Sequence, residues 1–258
     1  MTTHKERPAN TFVYVDESGT FPLEDENLFV VAALAFRCDI PDTLTKQTAT
    51  MDAVLAKVHE HDGVMSLCYV RPYVGFIPAF KEKLALLEEM VRAAKSAEGY
   101  HPYMSDDTLS ARNMEWGHCI RIAILFALAG ALVKGPVSLV DAIVDRKTMA
   151  ADTKRYFDDQ ADQLPFHMHH LRSLPSLRMV GMPTTIRVRL SDDPTAPRAK
   201  GGLRLVDIIS RHALRELRNT GELASFRKRD PRDIITDMTE TLLEPIPREV
   251  FEVYKSRT

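Results

Sequence analysis

Residues Thr11–Thr20 read T-F-V-Y-V-D-E-S-G-T, an apolar run that meets two adjacent acids. Phe12–Val15 is a short run of β-branched and aromatic residues, the composition of a buried strand. Asp16 and Glu17 follow as adjacent carboxylates, and Ser18-Gly19 mark a turn that ends the strand. Asp-x-Ser-Gly is ordinary turn chemistry, so Asp16 has a local reading as the residue that opens that turn. It also has a functional one. A charge at the end of a core strand is costly unless something pairs with it, and ligands gather at strand ends in open α/β sheets.

Working outward, the next apolar run is Leu28–Phe36, L-F-V-V-A-A-L-A-F, a second buried strand close enough to pair antiparallel with the first. Pro41–His61 has helical spacing at Leu44, Met51, Val54, Leu55 and Val58, with Asp42 or Thr43 as a start and Gly63 beyond the end. Val64–Phe80 reads as a short strand and a proline-punctuated loop, and Lys81–Glu98 as an amphipathic helix. Tyr100–Tyr103 has the composition of another short strand. Asn113–Lys134 is a helix apolar around much of its circumference, which places it centrally across the sheet, and Gly135-Pro136 stop it. Val137–Val144 is a strand ending in Asp145, Met149–Leu164 a helix, and Thr184–Leu190 an alternating strand. Gly201-Gly202 open a helix through Leu217, and the polar, basic tail from Gly221 is helical only around Arg232–Leu243. This order predicts a mixed-sheet α/β layer fold.

Length and composition narrow the class. A chain of 258 residues, 45% hydrophobic and 27% charged, fits one large domain or one domain with an appendage, and can bury a core without disulfides. Cys38, Cys68 and Cys119 are odd in number and widely spaced, which argues for a reduced, cytoplasmic setting and against a zinc ribbon. The N-terminus has no secretory pattern. The longest uncharged run, Ile122–Val133, is too short to span a bilayer, so a soluble protein is expected. The net charge of -2 is unevenly spread: Arg187–Arg232 holds twelve Lys/Arg against six Asp/Glu. That excess points either to a polyanionic partner or to a solvated face laced with salt bridges.

Three carboxylates stand out by their surroundings. Asp16 ends the first strand, Asp145 ends the Val137–Val144 strand, and Asp207 is embedded in the apolar helix segment Leu203–Ile209, L-R-L-V-D-I-I. Asp207 has a bland reading as one half of an ion pair with Arg211 at i+4 or Arg204 at i−3. The functional reading is convergence of the three acids on divalent cations, which prefer oxygen ligands. Two such ions, roughly 4 Å apart, suit phosphoryl-transfer chemistry. Arg187 and Arg189 alternate onto one face of their strand, and Arg204 and Arg211 share a helix face with Asp207, so these arginines are candidates for a basic rim that meets phosphates.

The opening V-Y-V-D-E-S-G-T, the later strand ending A-I-V-D-R and the closing G-G-L-R-L-V-D-I-I-S resemble an RNase H-like family known as domain of unknown function 3800 (DUF3800). The resemblance spans about residues 11–217. It implies an RNase H-like mixed sheet flanked by helices over residues 1–219, with residues 220–258 as a C-terminal helical or irregular extension. It further implies that Asp16, Asp145 and Asp207 hold Mg²⁺ or Mn²⁺, that Glu17 assists as a ligand or orients the water, and that the reaction is cleavage of DNA or RNA. Ser191 and Asp192 stand where members often carry a polar residue after the last strand. Two features depart from the family: Arg204 and Val206 replace the usual Gln and Ala, and S-L-C-Y-V-R-P lacks the carboxylate often found before the second helix.

The rival from another class is a non-catalytic nucleic-acid-binding or protein-interaction module on the same fold, of the kind used in mobile elements or phage defence. A haloacid dehalogenase-type phosphatase also starts with a strand ending in Asp, but needs a second Asp where this chain has Ser18. His167-Met168-His169-His170 reads as an exposed polar loop rather than a transition-metal site, since no Cys or acid pair is near it in sequence. No P-loop, dinucleotide-binding fingerprint or G-x-S-x-G is present.

Overall fold

The first strand outruns its apolar core. β1 spans Ala9–Gly19, so Asp16 and Glu17 lie inside a strand rather than after one, and Ser18 continues the ladder instead of turning it. Pairing explains the difference: β2 (Phe29–Phe36) runs antiparallel beside β1 through Gly19↔Phe29 and gives every polar residue a backbone partner. Gly19 ends the strand at φ +95°, and a Cβ there would sit 2.0 Å from the Leu28 carbonyl oxygen, so the close return of the chain requires glycine.

The computed structural model describes residues 9–21, 27–38, 40, 50–96, 111–145, 164, 168, 183, 185–196, 200–227 and 230–256. After β2 come α1 (Met51–Glu60), β3 (Val64–Val70), α2 (Phe76–Ser96) and α3 (Ala111–Val133). Then follow β4 (Val137–Val144), β5 (Thr185–Leu190) and α4 (Lys200–Thr220). β6 (Ile234–Asp237), α5 (Thr239–Leu243) and α6 (Arg248–Lys255) end the chain. Thr50, whose hydroxyl accepts from the Ala53 N–H at 3.3 Å, caps α1. The predicted starts at Asp42 or Thr43, the strand at 100–103, the helix over 149–163 and the histidines of 167–170 lie outside the described residues.

The six strands form one mixed sheet in the order β5-β4-β1-β2-β3-β6. β2 lies between β1 and β3 and runs antiparallel to both, while β4 runs parallel to β1, β5 to β4 and β6 to β3. Every strand but β2 therefore presents its carboxyl end at the same edge. This is the α/β class with a mixed sheet flanked by helices that the sequence predicts. β6 corrects the reading of the tail as helical around Arg232–Leu243: Ile234–Asp237 extends along the β3 edge, and helix begins only at Thr239. An Arg232-centred clasp anchors that tail, with Arg232 bound to Asp230 and 3.1 Å from Asp62, and Lys134 bound to the same Asp62.

Alternation sorts the strands onto two cores. Val13, Val15, Val31, Ala33, Val140, Ala142, Val144, Ile186 and Val188 face α3, which α2 covers in turn. Tyr14, Val30, Ala32, Leu34 and Ile143 face α4, which packs over β1 and β2 beside α1. Burial on the first face explains why α3 is apolar all round. By length and composition Met114–Val133 could cross a membrane, a stretch longer than the uncharged run because it includes Glu115 and Arg121; 67% of its most apolar window is buried inside the fold. Lys83 pairs with Glu115 at 3.1 Å. Cys68 and Cys119 are buried free thiols in the same core, and burial pushes the Cys68 thiol up to about 12.

Candidate functional site

The site forms where β1 and β4 part. The β1–β4 ladder closes at Val15↔Val144, and the Asp145 N–H still donates to the Val15 carbonyl at 2.8 Å. Asp16 and Asp145 thus stand side by side, each one residue past the last ladder pair. β1 has β2 on its other side, so this is the point at which the connections diverge, the crevice position in an open α/β sheet.

α4 brings the third acid. Gly202 lies directly on the Tyr14 ring, where an added Cβ would fall 2.2 Å from two ring carbons, so glycine sets how deeply the helix seats. Two turns further on, Ser210 is fully buried against β1. Its hydroxyl lies 2.9 Å from the Ser18 hydroxyl, 3.3 Å from Asp16 Oδ2 and 3.1 Å from the Asp207 carbonyl. Asp207 is therefore carried on the Asp16 side of the sheet, one turn before the serine that joins them.

Asp16 is 7% exposed. Its carboxyl group accepts from the Glu17 N–H at 2.9 Å as well as from Ser210. Burial first, then the charges of Glu17, Asp207 and Asp145, push its pKa up to about 8, against a modest lowering by the Glu17 amide. The four carboxylates form one electrostatic unit. They are not all on one face. Strand alternation sends Asp16 and Ser18 toward α4 and Glu17 toward α3, opposite Val31 of the α3-side core. Adjacent strand residues point to opposite faces, so in this arrangement Glu17 reaches Asp16 through its charge and its backbone N–H.

Asp145 accepts from the Ser191 hydroxyl at 2.9 Å, and the Ser191 N–H donates to the Val144 carbonyl at 2.9 Å. Asp207 turns outward to Arg211, Nε to Oδ1 at 2.7 Å. Each acid has a protein partner in this arrangement. Among the described residues no three His, Cys, Asp or Glu side chains are placed to hold one metal ion. The donor chemistry nonetheless fits a hard divalent cation: oxygen donors only, with a desolvated carboxyl crowded by like charges that a dication relieves.

The arginines divide. Arg187 is exposed on β5. Arg189 is 3.3 Å from Asp141 Oδ1 and donates to the Thr195 carbonyl, so it is committed within the protein rather than to an open rim. Arg204 is half-buried on α4, and Arg211 is paired with Asp207. The salt-bridge reading of the basic segment thus holds for Arg189 and Arg211. Sequence reasoning missed Asp141, a buried acid in the middle of β4, and Ser210. The available signal for Ser210 was a hydroxyl at i+3 from Asp207 on the apolar face of an amphipathic helix.

No family model and no curated protein matches the chain. Among solved structures, a chain of the PCNA:RNase HII complex from Archaeoglobus fulgidus is similar over 86% of this chain and 82% of its own, at 12% identity and a TM-score of 0.32. The α/β class rests on strand order and register rather than on that likeness.

Proposed function

We propose that this chain is a divalent-metal-dependent nuclease acting on phosphodiester bonds of DNA or RNA, akin to the DUF3800 family that its motifs resemble. The observation that carries the reading is the meeting of Asp16 and Asp145 at the point where β1 and β4 diverge, with Asp207 on the same side of the sheet and the pKa of Asp16 pushed up to about 8 by burial first and by its acidic neighbours second. Asp16, Asp145 and Asp207 would hold Mg²⁺ or Mn²⁺. When bound, the ion supplies charge neutralisation and lowers the pKa of an attacking water.

The chain's own residues do the rest. Ser210 and the Glu17 amide fix the Asp16 carboxyl, and Ser191 fixes Asp145, so two acids are oriented before any ligand arrives. Asp207 is the adjustable member, since its partner Arg211 is largely exposed and can exchange to a phosphate. Asp16 gives up its proton on loading, which makes metal affinity rise with pH up to about 8. The Arg211–Asp207 pair also favours a second reading, a nucleic-acid-binding module without cleavage, in which the acids stay neutralised internally.

One assay separates the readings. Labelled single- and double-stranded DNA and RNA are incubated with Mg²⁺ or Mn²⁺ and with the wild type or Asp16→Asn. Metal-dependent cleavage lost in Asp16→Asn supports the nuclease. Binding without cleavage of any substrate supports the module and overturns the nuclease.

A further inference from the structure

A cleft of about 460 Å³ opens at the same sheet edge as the acids, lined by Leu28, Arg71, Pro72, Leu217, Arg218 and Gly221. Its position relative to the acids follows from the chain. Leu28 is the residue against which Gly19 closes β1, and Leu214, one turn before Arg218, packs at the same glycine. The cleft is therefore the next feature along α4 beyond Asp16 and Ser210.

Its charge is available. Arg218 is exposed and, among the described residues, carries no ion pair. Arg71 gives its Nε to Asp237 at 2.7 Å, and its side chain is 53% exposed. On α4, Arg204, Arg211 and Arg218 recur every seven residues and form one stripe. Arg211 stands beside Asp207, and Arg218 lies two turns on, about 10 Å along the helix. The loop after β3 adds an aromatic surface: Tyr73 follows the cleft-lining Pro72 and is 47% exposed, and Val74 beside it is fully exposed.

From this juxtaposition we infer that the Arg71–Arg218 cleft is the seat of a single-stranded nucleic-acid segment leading away from the acids. Its phosphates pass from Arg211 to Arg218 and Arg71, and a base stacks on Tyr73. The inference rests on the nucleic-acid reading above and deepens it: the strand runs along the C-terminal half of α4 rather than along β5, where Arg189 is spent on Asp141. A cationic groove with an exposed aromatic ring binds single strands without sequence preference, because every base has a stacking face. Phosphate contacts there carry no sequence information.

The test is fluorescence anisotropy with a labelled oligothymidylate and a duplex of equal length, across a salt series, using wild type, Arg218→Glu, Arg187→Glu, Tyr73→Ala and the charge control Arg92→Glu on exposed α2 surface. The expected result is tighter binding of the single strand, weakened about ten-fold by Arg218→Glu through loss of a charge-assisted contact. The salt slope should fall by about 1 in that variant. Tyr73→Ala should weaken single-strand binding about ten-fold and leave the salt slope unchanged, and Arg92→Glu should bind as wild type. Wild-type affinity in Arg218→Glu, an equal loss in Arg92→Glu, a loss that follows Arg187→Glu instead, or duplex preference overturns the cleft while leaving the nuclease reading standing. Absence of binding by the wild type to either probe at any salt overturns the cleft, while the nuclease reading stands or falls on the cleavage assay with DNA and RNA.

Discussion

Replacing Asp16 by Asn tests the electrostatics of the site without touching its shape. Asn keeps an acceptor for the Glu17 N–H, and its amide can donate to Ser210, whose hydroxyl then donates to Ser18 or to the Asp207 carbonyl. What disappears is a charge. Between the ordinary carboxylate value of 3.8 and about 8, the folded chain keeps the Asp16 proton that the unfolded chain has lost. The unfolded state binds fewer protons in that window, so wild-type stability falls as pH rises through it and levels off above about 8. The full shift sets a ceiling of about 6 kcal/mol for the cost of ionising Asp16 in the fold. Its neighbouring acids share the titration, and two hydrogen bonds support the charged form, which brings the expected gain from Asp16→Asn to about 1–3 kcal/mol above pH 8. Urea unfolding from pH 5 to pH 9 should show two curves that diverge with rising pH, the variant above the wild type, and Mn²⁺ should then stabilise only the wild type. A variant less stable throughout, or a gap independent of pH, would refute the reasoning and make Asp16 a structural residue.

Three further substitutions probe the frame of the site. Gly202→Ala pushes a methyl group into the Tyr14 ring and should cost about 1–3 kcal/mol, with loss of metal binding in the folded fraction as α4 lifts; urea titration and Mn²⁺ calorimetry measure both. Arg211→Ala removes an exposed partner and should change stability by less than about 1 kcal/mol while tightening Mn²⁺ binding, because Asp207 is released. Arg232→Ala opens the clasp of Asp62 and Asp230 and should free the tail, seen as faster amide exchange in Ile234–Asp237. Hydrogen bonds from Arg232 hold Asp230 well below the usual carboxylate range, and Lys134 and Arg232 lower Asp62. The clasp's contribution is complete above the ordinary carboxylate value and is lost only as pH falls below it.

Much of this was legible in the sequence because burial is written in runs. Val137–Val144 is bounded by Gly135-Pro136 and Asp145, and the strand takes those limits. The length of β1 was not legible, because Asp16 and Ser18 look like turn residues until α4 covers them with Ser210. β6 was not legible either. Ile234–Asp237 is four residues long, and its extended form comes from pairing with the β3 edge, a contact from residues far earlier in the chain. Asp16, Asp145 and Asp207 were readable as exceptional because the first two close apolar runs and the third interrupts one. The face of Glu17 follows from strand alternation, which became usable only once the strand was known to continue past Asp16. Ion pairs such as Arg189 with Asp141 join strands distant in sequence, so counting charges along the chain could not assign them.

We propose that Asp16, Asp145 and Asp207 together bind one dication. Crystals grown with Mn²⁺ and measured at a wavelength where manganese scatters anomalously test it most directly. The expected result is an anomalous peak bounded by Asp16 and Asp145, with Asp207 rotated away from Arg211 to join them. No peak at the ends of β1 and β4 in Mn²⁺-saturated crystals, with Asp207 still held by Arg211, would contradict it.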